Sequence, residues 1–185
     1  MASLGLTRLK TAVWFTLFPL PLIGILPWWL RVRSGGGWGW DGTAGQWLGL
    51  WLILNGLGLA GWCVNLFNVQ GRGTPLPLDP PTRFVVSGPY RFVRNPMMLG
   101  LLLMLLGEAA LYESLAVLLY DGCLAVLAGL FVVCWEEPDL ERRFGADYLA
   151  YKHHVPRWVP RPPVQDRRDG PRLPPISGAG ATPKR

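Results

Sequence analysis

Four long apolar stretches alternate with short polar ones along this chain, at 11–30, 45–67, 97–112 and 114–135. A helix crossing a bilayer needs about 20 residues, within a range of roughly 17 to 25. The first, second and fourth stretches meet that length. The third is shorter and carries Glu108, but it can cross where its ends are buried or the bilayer thins. Pro19, Pro21 and Pro27 break the first stretch and no small-residue cleavage site follows, which argues against a secretory signal. The pattern predicts an all-α polytopic membrane protein with about four transmembrane helices. Beyond the fourth stretch, Leu140, Phe144 and Tyr148 recur at a spacing of four, with Tyr151 three further on. That stripe lies opposite Glu141, Arg142 and Arg143, as in an amphipathic helix resting on a membrane surface.

Composition agrees with the pattern. Half of the residues are hydrophobic, ten are tryptophan and the mean hydropathy is +0.25, too apolar for an ordinary soluble domain. Basic residues then set the orientation. With four spans, the amino terminus, the 68–95 loop and the carboxyl tail share one side. They hold sixteen Lys and Arg, against only Arg31 and Arg33 on the other. The positive-inside rule places the sixteen in the cytoplasm, and the corresponding localisation is a bacterial inner membrane. The net charge of +6 and the pI near 9.7 follow from that topology and from anionic headgroups. No nucleic-acid groove is visible. Cys63, Cys123 and Cys134 all sit in apolar stretches without metal-ligand spacing, so they read as small hydrophobes, and no metal site is expected.

Three regions follow: a two-span region at 1–70, a core at 71–161 and a basic, Pro-rich tail at 162–185 whose composition predicts disorder. Trp28 and Trp29 mark the far end of the first span as interfacial anchors. Gly45, Gly49, Gly56, Gly58 and Gly61 give the second span a face that a neighbouring helix can approach closely, and Asn55 and Asn65 read as interhelical hydrogen-bonding groups. The 71–89 segment is too rich in Pro and Gly for a continuous helix and suits a gating loop.

Two polar clusters carry the candidate chemistry. Ser87-Gly88-Pro89-Tyr90-Arg91-Phe92-Val93-Arg94-Asn95-Pro96 leads into the third stretch, and Trp135-Glu136-Glu137-Pro138 ends the fourth. A helical hairpin brings them to one side of the membrane. Asn95-Pro96 is a sound helix start, with Asn as cap and Pro at the first helical position. Asn95 is equally placed to contact a ligand. Arg91 and Arg94 anchor headgroups or clamp a carboxylate or phosphate. Two adjacent carboxylates at a helix end whose dipole disfavours anions call for a ligand bearing positive charge or a vicinal diol. His153 and His154 are the only histidines and lie at the same interface, either as surface residues or as acid/base groups.

These clusters together resemble the isoprenylcysteine carboxyl methyltransferase family, whose wider group includes phospholipid N-methyltransferases. The resemblance rests on Gly88-Pro89-Tyr90-Arg91-Phe92-Val93-Arg94-Asn95-Pro96, Gly100, Glu136-Glu137-x-x-Leu140, Phe144-Gly145-x-x-Tyr148-x-x-Tyr151 and Val155-Pro156-Arg157, and covers about 79–160. It implies S-adenosylmethionine held in a cytoplasm-facing pocket formed by the last two spans and the carboxyl-terminal segment, with a lipophilic or lipidated acceptor entering from the bilayer. The residues it points to for the cofactor are Tyr90, Arg91, Arg94, Asn95, Pro96, Met98, Gly100, Glu136, Glu137, Tyr148, Tyr151 and Arg157. Asn95 and Arg157 are the candidates for a catalytic role. Asn95 stands where the family usually has His, and Met98 where it has Tyr, so a histidine proton transfer is unavailable at 95. A nicotinamide-dependent membrane reductase and a non-catalytic four-span adaptor or small transporter are the competing classes. No glycine-rich dinucleotide loop favours the first, and the acids lie mainly near span ends instead of mid-membrane, against the second.

Overall fold

A computed structural model describes residue 13 and residues 20–36, 39–71 and 84–162. All regular structure among them is helical. A π-helical turn at Pro21–Ile25 runs into α1 (Leu26–Arg33). α2 spans Ala44–Leu66 and continues through a second π-helical turn at Phe67–Gly71. A short 3-10 turn at Gly88–Arg91 precedes α3 (Pro96–Tyr112). α4 (Leu115–Phe131) passes through a third π-helical turn, Val132–Glu136, directly into α5 (Glu137–His154).

Local sequence explains the ends of these helices. Thr43-x-x-Gln46 forms a capping box at the start of α2, where Thr43 Oγ1 accepts the Gln46 amide at 3.1 Å. The Gln46 side chain takes the Asp41 and Gly42 amides at 3.0 and 2.9 Å and donates to the Gly39 carbonyl at 3.2 Å. α3 ends at Glu113, a left-handed residue (φ 46°), and Thr43 Oγ1 donates to its carboxylate at 2.5 Å. From sequence, Pro138 closes the fourth apolar stretch and signals a helix break. Instead the chain stays helical, because the π-helical turn before Pro138 absorbs the bonding defect left by its missing N–H.

α3 packs between α2 and α4, and its contact with α2 is the most extensive between helices among the described residues. Gly49 meets Gly107 and Gly56 meets Gly100, seven residues apart on each of two antiparallel helices. A Cβ on Gly56 would lie 2.5 Å from the Gly100 carbonyl oxygen, and one on Gly107 would lie 2.7 Å from that of Gly49. Backbone touches backbone, as in membrane helix pairs built on small residues. Gly58 and Gly61 have nothing within 4 Å and do not share that face. Asn55 is exposed and donates to Trp51 of its own helix at 2.7 Å, so it is not a bridge between helices. Asn65 is also exposed.

Two helical segments are long and apolar enough to cross a bilayer, Ala44–Gly71 and Leu115–His154, and α3 is a shorter apolar helix. Within the second segment only the part up to Trp135 is apolar. Trp47, Trp51, Leu54 and Trp62 on α2, and Leu119, Val126, Leu127 and Leu130 on α4, are exposed. A surface this apolar is at home in lipid. Four spans are thus supported for two. Of the expected first span, residues 13 and 20–30 are described and residues 21–30 are helical, while the rest of it, the 72–83 part of the gating loop and the tail from 163 onward lie outside the described residues.

Candidate functional site

The site is built where three segments meet: the 84–95 stretch, the junction of α4 with α5, and the chain after α5. Main-chain bonds hold them together. The Arg94 amide donates to the Pro156 carbonyl at 2.9 Å and the Arg161 amide to that of Phe92 at 3.0 Å. Tyr151 Oη donates to the Tyr90 carbonyl at 2.7 Å. Ser87 Oγ bonds the Gln70 side chain and ties the same stretch to the end of α2.

At the centre lies Glu137, 2% exposed. Arg157 grips it bidentately, Nε to Oε1 at 2.7 Å and Nη2 to Oε2 at 2.8 Å. Arg94 Nη1 lies 3.1 Å from Oε1, and Lys152 Nζ lies 3.9 Å from Oε2 while pairing with Glu141. A buried carboxylate is tolerable only when paired in this way. The bonds to Glu137 in turn raise the pKa of Arg157.

Its neighbour Glu136 is half-buried and has no hydrogen-bond or ion-pair partner among the described residues. Two donors of the 84–95 stretch also lack partners. Arg94 Nε and Asn95 Nδ2 are buried without a hydrogen-bond partner, while Arg94 Nη1 is held in the ion pair with Glu137. Asn95 is 7% exposed and makes no side-chain cap, although its carbonyl accepts the Leu99 amide at 3.1 Å. Buried polar groups are normally satisfied, so these two donors and the unpaired Glu136 carboxylate make this cluster the candidate ligand site.

An aromatic cluster lies against this centre. Phe84 sits between Phe144, Tyr148 and Tyr151, with ring centroids 5.2, 5.8 and 5.1 Å away. Burial pushes the Tyr148 phenol up to about 12, with the Glu137 charge adding to this and the Arg94 guanidinium opposing it. Burial also raises Tyr151 and Tyr90. Tyr90 packs edge-on to Phe67 at 5.5 Å, in a core with Cys63, Leu66 and Val85.

The sequence-derived residues therefore separate by position. Arg94, Asn95, Glu136, Glu137, Tyr148, Tyr151 and Arg157 come together, with Tyr90 adjoining through its carbonyl. Pro96 is the buried first residue of α3, and Met98 is half-buried on the same turn. Gly100 faces α2, where the Gly56 carbonyl takes up its open side. Arg91 is exposed, because the 3-10 turn ends there and the chain bends before Arg94. His153 and His154 are exposed, with His154 Nδ1 donating to the Ala150 carbonyl at 2.8 Å. Phe84 and Lys152 escaped the sequence reading, and Gly145 entered it only as part of the motif that carries the resemblance. Gly145 breaks the helical path of α5 (φ 52°, ψ −124°), a conformation open to glycine, and so sets the direction of Tyr148 and Tyr151. An isolated glycine inside a helical pattern was the available signal. Phe84 and Lys152 left none.

Membrane-length helices capped at one end by a buried charge cluster and unsatisfied donors define an integral membrane protein with a polar site at the edge of the bilayer. The phospholipid methyltransferase family model matches residues 44–147, more than half of the chain. The chain belongs to that family, which lies within the isoprenylcysteine carboxyl methyltransferase-like group, and this makes it a membrane methyltransferase. The matched region includes Arg94, Asn95, Glu136 and Glu137 and ends before Tyr148, Tyr151 and Arg157. No curated protein and no solved structure matches the chain.

Proposed function

We propose that the protein transfers a methyl group from S-adenosylmethionine to a lipophilic or lipidated acceptor at the headgroup level, with the site and carboxyl terminus in the cytoplasm. The observation that carries this reading is the pairing of unsatisfied groups: donors on Arg94 and Asn95, an acceptor on Glu136. The cofactor's amino-acid end presents a carboxylate and an ammonium, which complement these groups. When bound it supplies an electrophilic methyl on a sulfonium.

In this reading Arg94 and Asn95 receive the carboxylate and Glu136 the ammonium or the ribose diol. Glu137 has a different task. Its two bonds from Arg157 bolt the segment after α5 onto the α4–α5 junction, so it fixes the place of the other groups. Tyr148 stays protonated across the physiological range, and Asn95 has no titratable group. Neither acts as a base, and the acceptor arrives as a nucleophile. The residues contribute position and exclusion of water, which is most of what methyl transfer to a good nucleophile requires.

Thermal unfolding of the purified protein in detergent tests the cofactor. S-Adenosylhomocysteine should raise the midpoint, since a ligand that binds only the folded form stabilises it. A shift with NADPH and none with saturating S-adenosylhomocysteine would replace this reading with a reductase.

A further inference from the structure

Where the chain after α5 closes on the 84–95 stretch, its outer rim carries two arginines that methyl transfer does not use. Arg91 ends the 3-10 turn, five residues before Pro96 opens the apolar helix α3. Arg161 lies on the returning chain. Its amide donates to the Phe92 carbonyl at 3.0 Å, which sets Arg161 across from Phe92 and next to Arg91. Both arginines are exposed, and so are the apolar side chains beside them, Phe92 and Val159.

The other Lys and Arg residues of 84–162 are already committed. Glu137 holds Arg94 and Arg157, Asp139 holds Arg142 and Arg143, and Glu141 holds Lys152. Among the described residues no carboxylate holds Arg91 or Arg161, and neither side chain has a hydrogen-bond acceptor. Two free guanidinium groups beside two exposed apolar groups suit a boundary that is charged on one side and apolar on the other. The headgroup layer of a bilayer has that character, and the short link from Arg91 to α3 puts the rim at its level. The cytoplasmic leaflet carries anionic lipid, so the charges are complementary. An acidic protein segment would answer the arginines but leave Phe92 and Val159 without a role.

We propose that Arg91, Phe92, Val159 and Arg161 form a docking surface for anionic phospholipid, assembled by the closure on the rim of the site. The guanidinium groups take lipid phosphate through charge-assisted hydrogen bonds, and Phe92 and Val159 meet the start of the acyl chains. A lipid of net negative charge is preferred over phosphatidylcholine, whose choline cation cancels part of the attraction. Arg91 and Arg161 belong to the two segments joined by the bond between 92 and 161, so lipid held by both seats the closed site against the leaflet.

Native mass spectrometry of the full chain in detergent tests the surface, with phosphatidylglycerol and phosphatidylcholine offered in competition. The wild type should retain phosphatidylglycerol in preference. Arg91→Gln/Arg161→Gln should lower that preference by about fivefold for each arginine removed, from about 1 kcal/mol per basic residue near an anionic surface. Arg142→Gln/Arg143→Gln removes the same charge from cations that Asp139 already holds, and should lower it less. Soluble glycerol phosphate at the concentration of the lipid should displace none of it, since it lacks the chains that Phe92 and Val159 meet. A wild type without preference overturns the proposal. So does an equal loss in the two double variants, which marks net charge alone, and so does displacement by glycerol phosphate, which marks a soluble-anion site. None of these readouts involves methyl transfer, so they decide the surface whether or not the cofactor binds.

Discussion

Glu136 and Glu137 are adjacent in sequence and opposite in circumstance. Glu137 is saturated by Arg157 and Arg94, whereas Glu136 faces the site without a partner. Their variants should therefore differ in kind. Glu137→Gln leaves two guanidinium groups uncompensated and should destabilise the protein by about 3 kcal/mol, the scale for breaking a buried pair. Glu136→Gln should leave unfolding within about 0.5 kcal/mol of wild type. It should instead weaken S-adenosylhomocysteine binding by about 1.5 to 3 kcal/mol, the scale of a charged hydrogen bond. Denaturant unfolding and titration calorimetry on both variants separate the two roles. Equal loss of stability would show that Glu136 is also a structural charge. The sequence showed that two acids meet arginines here, because residue types and order are visible in it. Which acid is spent on Arg157 depends on a contact twenty positions away and was not visible. Tyr148 is a further test at this scale. With its phenol held near 12 by burial, its absorbance should not change between pH 7 and 10, and a phenolate appearing in that range would contradict the packing around Phe84.

The α2–α3 pair shows how much a helix contact depends on single atoms. Gly49, Gly56, Gly100 and Gly107 each lack room for a Cβ, with backbone atoms 2.5 to 2.9 Å from where it would sit. Gly56→Ala and Gly107→Ala should each cost about 1 to 3 kcal/mol by overpacking. Gly58→Ala and Gly61→Ala meet nothing within 4 Å and should be neutral or stabilising by up to about 1 kcal/mol, since Ala is the better helix former. Comparing the unfolding midpoints of the four variants checks the register. Equal effects at all four positions would refute it. From sequence, five glycines on α2 looked equivalent, because glycine spacing names several faces and only the partner helix selects one. The run through Pro138 has a similar cause. Proline signals a helix break, but a π-helical turn of the preceding residues lets the chain continue, and that adjustment has no local sequence mark.

Across the whole molecule, hydropathy made the helical membrane architecture plain, and two of the helical segments have the length and apolarity for it. The polar ends of the helices were also legible, because charges beside long apolar stretches stand out against them. What was not legible was the closure. The chain after α5 returns to pair with residues 92 and 94, and Phe84 enters between two tyrosines, through contacts that no periodicity announces. This closure brings Arg94, Asn95 and Glu136 to the polar end of the apolar helices, and in the proposed reading an acceptor anchored in lipid reaches them there. With neither Asn95 nor Tyr148 serving as base, a carboxylate or thiolate acceptor should react at a rate that changes little from pH 7 to 9. An amine should react faster as it loses its proton. The central claim is tested most directly by incubating the protein with methyl-labelled S-adenosylmethionine and a total membrane lipid extract, then separating the products. The label should appear in lipid or membrane-anchored material, and Glu136→Gln should reduce its transfer at limiting cofactor. Label found only in water-soluble small molecules, or no transfer by a protein that binds the cofactor, would contradict the account.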